Sequence, residues 1–262
     1  MKNRMLLKNK NIFVLDIGLI EYGEAWQLQE QILKKIVAIK VANRERSPEN
    51  QQKTPNFLLL CAHPHVYTLG KSGKMAHLLL NQQALDDKNI AFFHTNRGGD
   101  ITYHGPDQIV GYPILDLENF FTDVHKYLRF LEESIILTLQ DYGLHGERSQ
   151  GETGVWLEVN TPKARKICAM GIRCSRWVSM HGWAMNVNTD LRYFQHIVPC
   201  GITDKAVASL HKELGVEYID KKEVQDRLIH HFLHIFAAEA VPISLEKLNA
   251  FLTTSDTAIT LS

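Results

Sequence analysis

Three short stretches combine reactive side chains with residues that shape a turn or a dry wall. The first is Lys166-Ile-Cys-Ala-Met-Gly-Ile-Arg173, where a lysine opens an otherwise apolar strand pattern. An amine held in a partly dry pocket loses basicity through desolvation and becomes a usable acid or base. The plainer alternative is an edge lysine whose head snorkels to water. The second is Pro199-Cys200-Gly201, a thiol set in turn chemistry, whereas Cys61 sits in an apolar run. A sulfur presented that way can meet a substrate and act as a nucleophile. The third runs from Arg97 to Pro113, with Gly98, Gly99, Gly105 and Pro106 enclosing the alternating run Ile101-Thr102-Tyr103-His104. Such turns let a backbone approach a ligand closely, and Arg97, Tyr103, His104 and Gln108 supply donors and acceptors around them. Alone, this stretch also reads as an ordinary tight hairpin.

Other combinations carry less. Gly70-Lys71-Ser72 resembles the end of a phosphate-binding loop, but that motif needs a glycine at position 65, where the chain has His65. His63 and His65 would share a face of one strand and could hold a metal, yet no third ligand has compatible local spacing, so histidines beside a pocket are the better reading. His230 and His234 lie one helical turn apart without the glutamate of a zinc-protease motif. No metal and no cofactor are expected.

The 262 residues, 45% of them hydrophobic, suffice for one large domain with a full core. Lys plus Arg equals Asp plus Glu at 29 each, which argues against a dedicated nucleic-acid or membrane-surface protein. The four cysteines include no Cys-x-x-Cys pair, and free thiols in a reducing compartment are the simplest account. Lys2, Arg4, Lys8 and Lys10 precede no long apolar segment, and no run reaches the roughly 18 residues of a membrane span. A cytoplasmic location follows as an expectation.

The elements that must position these groups are legible in outline. Ile12 to Asp16 reads as a strand ended by Gly18, and Ala25 to Ala42 as an amphipathic helix. Asn43 to Pro55 is polar and reads as a solvated loop, the first candidate for disorder. Phe57 to Cys61, His65 to Leu69, Ile90 to His94 and Ile109 to Leu117 read as strands. Val124 to Tyr142 is a core helix with Thr122 or Asp123 at its N-cap and Gly143 near its C-cap. Gly154 to Val159, Lys166 to Arg173 and Trp177 to Asn188 read as further strands, with Gly182 marking a close backbone approach. Ala206 to Leu214 and Lys221 to Ala238 read as helices, the second behind an Asp220/Glu223 variant of a capping box. A small helix and a frayed tail close the chain from Ala240 to Ser262.

Taken together, His63-Pro-His-Val-Tyr-Thr-Leu-Gly70, Arg97 to Pro113, Gly154-Val-Trp156, Lys166 to Arg173, His181-Gly-Trp-Ala-Met-Asn-Val187 and Pro199-Cys-Gly-Ile202 closely resemble, in that order, the blocks of the lipoyl(octanoyl) transferase family. The resemblance covers about residues 12–215, and residues from about 216 to 262 form a helical extension beyond it within a single catalytic domain. It implies an α/β (α+β type) fold like that of the biotin and lipoate ligase catalytic domains, a mixed central β-sheet flanked by helices. It also implies transfer of an octanoyl group from octanoyl-acyl carrier protein to a lysine of lipoyl domains, those of 2-oxo acid dehydrogenase E2 subunits and of the glycine cleavage H protein. In that family the cysteine matching Cys200 carries the acyl group as a thioester, and the lysine matching Lys166 lowers the pKa of that thiol. Arg97, Gly98, Gly99, Asp100, Ile101, Thr102, Tyr103 and His104 match its substrate-binding block, as do Ala169, Met170 and Gly171, and Gly182, Trp183 and Ala184. The chain departs from the family at Asp107, where glycine is usual. Asp tolerates left-handed backbone better than most residues, so the turn should survive.

These residue types suit that chemistry on their own terms. A thiol with an ordinary pKa near ~8.5 is favoured as thiolate beside an ammonium, and thioester exchange followed by amide formation needs no ATP. Backbone N–H groups near Gly171 or Gly201 could hold an oxyanion. Burying an eight-carbon chain gains on the order of 5 kcal/mol at about 0.8 per methylene. Between Arg148 and Arg176 there are six basic residues and two acidic ones, a stretch that could steer an acidic carrier. The competing readings are an ATP-dependent lipoate or biotin ligase on the same fold and a non-catalytic acyl- or lipoyl-domain-binding protein.

Overall fold

A computed structural model describes residues 8–198 and 206–254. Its larger sheet is built from β1 (Asn11–Leu19), β2 (Asn56–Ala62), β6 (Gln108–Ile114), β7 (Gly154–Leu157), β8 (Arg165–Ser175), β9 (Val178–Asn186), β10 (Ala206–Val207) and β11 (Glu239–Pro242). The order is β10-β8-β9-β6-β2-β1-β11, with β7 also paired to β8. The pairs β1–β2, β1–β11 and β8–β10 are parallel and the others antiparallel, so the sheet is mixed as expected. A smaller sheet joins β3 (Val66–Leu69) to β4 (Ala91–His94) on one side and β5 (Ile101–His104) on the other.

Alternation along the strands divides the core into two faces. From β2 and β6, Phe57, Leu59, Val110, Tyr112 and Ile114 pack against α1 (Tyr22–Ala42) and α6 (Leu245–Thr253). Leu58, Leu60 and Ile109 point the other way, against α3 (Val124–Gln140) and α5 (Lys221–Phe236). This is the period-2 rule of a strand buried on both faces. Two short helices, α2 (Gln82–Asp87) and α4 (Leu210–Leu214), complete the described chain. Asp123 caps α3 by accepting from the Lys126 N–H at 2.9 Å, and Gly143 beyond its end has φ +73°.

Four expectations need correction. Ala206 and Val207 are not helical but a strand registered against Arg165 and Lys166, so the helix begins only at Leu210. The residues after α5 are not only a helix and a tail, because β11 adds to the sheet beside β1. Asp220 caps α5 through the Lys222 N–H, while Glu223 pairs with Arg227 instead of closing a box. The polar loop after α1 is tied down, with Asn43 Nδ2 donating to Gln52 O at 2.7 Å and Asn43 Oδ1 accepting from Gln52 N at 2.9 Å.

Candidate active site

The β8–β9 hairpin forms the floor. Ala169, Met170 and Gly171 lie opposite Ala184, Trp183 and Gly182, and every residue of β9 is buried. Two of these glycines are required by space. A Cβ at Gly182 would sit 2.1 Å from Gly111 O, and one at Gly171 would sit 2.6 Å from Gly98 O. The second contact shows how the Arg97–Asp100 loop is laid over β8, and the Gly98 N–H secures it by donating to Ile172 O at 2.9 Å.

That loop and β5 form the roof. Arg97, only 7% exposed, donates from Nη2 to Thr68 O at 2.6 Å and to Thr68 Oγ1 at 2.9 Å, clamping the loop to β3. Asp100 Oδ2 lies 2.5 Å from His77 Nδ1, and Thr102 is registered against Thr68. Tyr103 stacks on Tyr193 at 5.0 Å, and its hydroxyl lies 2.7 Å from His65 Nδ1. Gly105 makes room for that hydroxyl, since a Cβ there would lie 1.9 Å from it.

Floor and roof enclose a cavity of about 540 Å³. Lys166 lines it together with Arg97, Gly98, Gly99, Asp100, Ile101, Thr102, Tyr103, His104, Ala169, Met170, Gly171, Gly182, Trp183 and Ala184. Lys166 and the three substrate-binding blocks matched from the sequence therefore converge on one space. Lys166 stands near the start of β8, its Nζ 4.5 Å from the centroid of the Trp156 ring and its backbone registered against Val207. Cys200 lies outside the described residues.

Tyr22, Tyr112 and His181 were not singled out from the sequence as site residues, yet with His104 they form the inner wall of the cavity. Tyr22 stacks on His104 at 5.7 Å and meets His63 edge-on at 5.3 Å. His63 Nδ1 lies 2.7 Å from Ile20 O, a carbonyl that can only accept, so the proton is on Nδ1 and Nε2 accepts from the Tyr112 hydroxyl at 2.7 Å. Asn96 uses its amide nitrogen on Glu30, which turns its oxygen to His181 Nε2 at 2.7 Å. Burial lowers the pKa of His63 to about 4 and that of His181 to about 3, the latter with help from Arg97 and Arg173. Burial also drives His104 well below the usual imidazole range and Tyr22 up to about 12. The wall is thus uncharged at neutral pH. His63 and His65 do not share a strand; they flank Pro64 in the connection from β2 to β3 and are engaged by Tyr112, Tyr103 and Tyr193.

Residues 21–233 match the family described as the lipoyl protein ligase A/B catalytic domain. The chain belongs to that family. It is 60% identical over 233 residues to an octanoyltransferase of Flavobacterium johnsoniae, covering 89% of this chain and all of that one. An octanoyltransferase of Christiangramia forsetii is 59% identical over 231 residues, covering 88% and 98% of the two chains. Among solved structures, the bipartite lipoate protein ligase of Thermoplasma acidophilum, determined in a study of that ligase and its E2 lipoyl domain, superposes with a TM-score of 0.61 at 15% identity. That match covers 97% of this chain and 95% of the ligase. It supports the fold, the mixed sheet flanked by helices of the lipoate ligases.

Within this family member three of the six basic side chains in the stretch around Lys166 are engaged in ion pairs. Arg148 is paired with Glu132 and Glu133, Arg165 with Glu158 and Glu213, and Arg173 with Glu30. Four of those five carboxylates lie outside the stretch in sequence, so local counting missed them. These pairs reduce the net positive charge that residues 148–176 present. Among the described residues, no group of three or more His, Cys, Asp or Glu could hold a metal ion, and no helix is long and apolar enough to cross a membrane.

Proposed function

We propose that the protein transfers octanoyl groups from octanoyl-acyl carrier protein to a lysine of lipoyl domains, with Cys200 as nucleophile and Lys166 as proton carrier. The single observation that carries this reading is the cavity in which an amine on β8 shares one space with the apolar residues Ala169, Met170, Ile172 and Ala184. The near full-length identity to proteins named octanoyltransferase supplies the acyl group.

The chemistry balances without a cofactor. The Cys200 thiolate attacks the donor thioester carbonyl, and the departing carrier thiolate takes a proton from the Lys166 ammonium. The neutral amine of the acceptor lysine then attacks the acyl-Cys200 thioester. Its proton passes to the Lys166 amine, an amide forms, Cys200 leaves as thiolate and the Lys166 ammonium is restored. Exchange between thioesters is near thermoneutral and the final amide is downhill, so the direction is set by the second step. Lipoyl domains of 2-oxo acid dehydrogenase E2 subunits and the glycine cleavage H protein are the proposed acceptors. The Thermoplasma ligase studied with its E2 lipoyl domain offers a parallel on the same fold.

Intact-mass measurement after mixing the protein with octanoyl-acyl carrier protein, without ATP, tests the nucleophile. The expected result is a hydroxylamine-labile octanoyl adduct on the wild type that disappears in Cys200→Ser. An adduct that persists in that variant, or that maps to Cys168 or Cys174, overturns the assignment. Cys168 is an unpromising alternative, because burial pushes its thiol far above the usual range.

A further inference from the structure

Helix α3 commits a buried carboxylate to the strand beside Lys166. Glu132 is 0% exposed, and its Oε1 accepts from the Gly154 N–H at 3.0 Å. Its Oε2 lies 3.1 Å from Arg148 Nε and 3.0 Å from Arg129 Nη1. Burying a carboxylate costs several kcal/mol unless it is paired and hydrogen-bonded, so this set of partners is a considerable commitment for one helix position.

What Glu132 holds lies against the amine. Gly154 opens β7 with φ +120°, opposite Ala169. A Cβ on Gly154 would lie 2.5 Å from Cys168 O and 3.6 Å from Lys166 Cε, so its bare backbone is packed beside the lysine stem. Two residues further along β7, the Trp156 ring faces Lys166 Nζ. The strand thus confines both stem and head of the lysine, and the Glu132–Gly154 bond fixes where the strand begins. Arg148, held by the same carboxylate, leads into the loop whose Gly151, Glu152 and Thr153 line the cavity.

We infer that Glu132 is a positioning residue for Lys166, acting through Gly154 and Trp156 on β7. The inference rests on the proposed proton-carrying role of Lys166. The competing role is a plain staple between α3 and the following loop, which would affect stability without singling out the chemical step.

The experiment compares Glu132→Leu with Glu132→Gln in the full chain, measuring the rate of octanoyl-enzyme formation against donor concentration. Displacing a reacting group by about an ångström costs up to ~100-fold. Glu132→Leu should therefore slow acylation at saturating donor by roughly 10- to 100-fold while the half-saturating donor concentration stays within about twofold. Glu132→Gln, whose amide oxygen still accepts from Gly154, should recover to within a few-fold of wild type. Wild-type rates in the Leu variant, equal losses in both variants, or a loss confined to half-saturation would each overturn the inference. If the Leu variant does not fold, Glu132→Asp substitutes for it, since it keeps the charge but withdraws the oxygen by one methylene. A several-fold loss at saturation then supports the inference and a wild-type rate overturns it. Lys166→Ala separates the two readings: wild-type acylation in that variant removes the lysine's role itself. If Lys166→Ala is slow, adding Glu132→Leu should slow it no further, and an additive loss would show that Glu132 acts elsewhere.

Discussion

The two ends of the cavity treat their ionisable groups in opposite ways. The inner wall gathers His104 and His181 with Tyr22 and Tyr112, backed by His63 behind them, all nearly inaccessible to water and all held neutral by burial. The β8 end instead presents the Lys166 amine over the Trp156 ring, backed by the ion pairs of Glu132. One end keeps its shape and polarity across the physiological pH range; under the proposed function, the other offers a proton. On that proposal recognition and proton transfer lie on separate elements, so that tuning one need not disturb the other.

The largest effect that probes this division is on rate. Lys166→Ala should slow both half-reactions by on the order of 10²- to 10⁴-fold, the usual worth of a positioned acid–base group, with the fold intact by circular dichroism. His104→Gln, at the neutral end, should leave the pH profile of transfer unmoved even if the rate falls. A profile that shifts in the His104 variant, or transfer at normal speed without Lys166, would break the comparison.

The next effect concerns stability. An imidazole whose folded pKa is depressed stays neutral in the native state and takes up a proton on unfolding. Its contribution is therefore full above the ordinary value of 6.5 and is lost as pH falls from there toward the folded value. For His63 the interval from 6.5 to about 4, at about 1.36 kcal/mol per pH unit, amounts to roughly 3 kcal/mol at the acid limit. His181 extends the same loss toward about 3. Urea midpoints should fall between pH 6.5 and 4.5, and His63→Gln should flatten that fall. A midpoint independent of pH in this window would mean that the inner wall is not held neutral.

How far the sequence revealed this site depends on the range of the interactions involved. The Arg97–His104 and Lys166–Gly171 blocks were readable because glycines and a charged residue interrupt an apolar pattern locally. Lys166 and the close approach at Gly182 followed from such short signals, whereas the mixed sheet was implied only by the resemblance to the family. Tyr22 left no mark, since a tyrosine opening an amphipathic helix has no special spacing, and it meets His63 and His104 only through the packing of α1 on the sheet. Glu132 was hidden for the same reason, being one acidic residue in a helix whose partners lie at Arg148 and Gly154. The register of β10 beside Lys166, and β11 beside β1, depends on pairing between segments far apart in the chain, about which local propensity is silent.

A smaller effect tests how rigid the floor is. Gly182→Ala would place a Cβ 2.1 Å from Gly111 O and 2.7 Å from Pro113 Cδ, so β6 and β9 must separate. Overpacking of this kind costs about 1–3 kcal/mol and should lower the urea midpoint accordingly. By contrast, Gly151→Ala on the cavity loop meets nothing within 4 Å and bears only the strain of φ +78°. Equal losses in the two variants would mean that the loop is packed as tightly as the floor.

The smallest expected effect is at Asp107, the departure from the family's usual glycine. Its φ is +64°, the left-handed conformation that a non-glycine residue adopts at a cost of about 1 kcal/mol. Two features offset that strain. Asp107 Oδ1 lies 2.9 Å from Lys221 Nζ at the start of α5, and the Asp107 carbonyl accepts from the Asn188 N–H at 3.2 Å. The ion pair is half-exposed and worth only a few tenths to 1 kcal/mol, while the backbone bond survives any substitution that keeps the turn. Asp107→Gly should therefore relieve strain and lose the ion pair in nearly equal measure, leaving stability within about 0.5 kcal/mol and the transfer rate within about twofold. A larger drop in stability that high salt abolishes would show that the Lys221 pair, and not tolerance of the backbone angle, is what keeps aspartate at this turn.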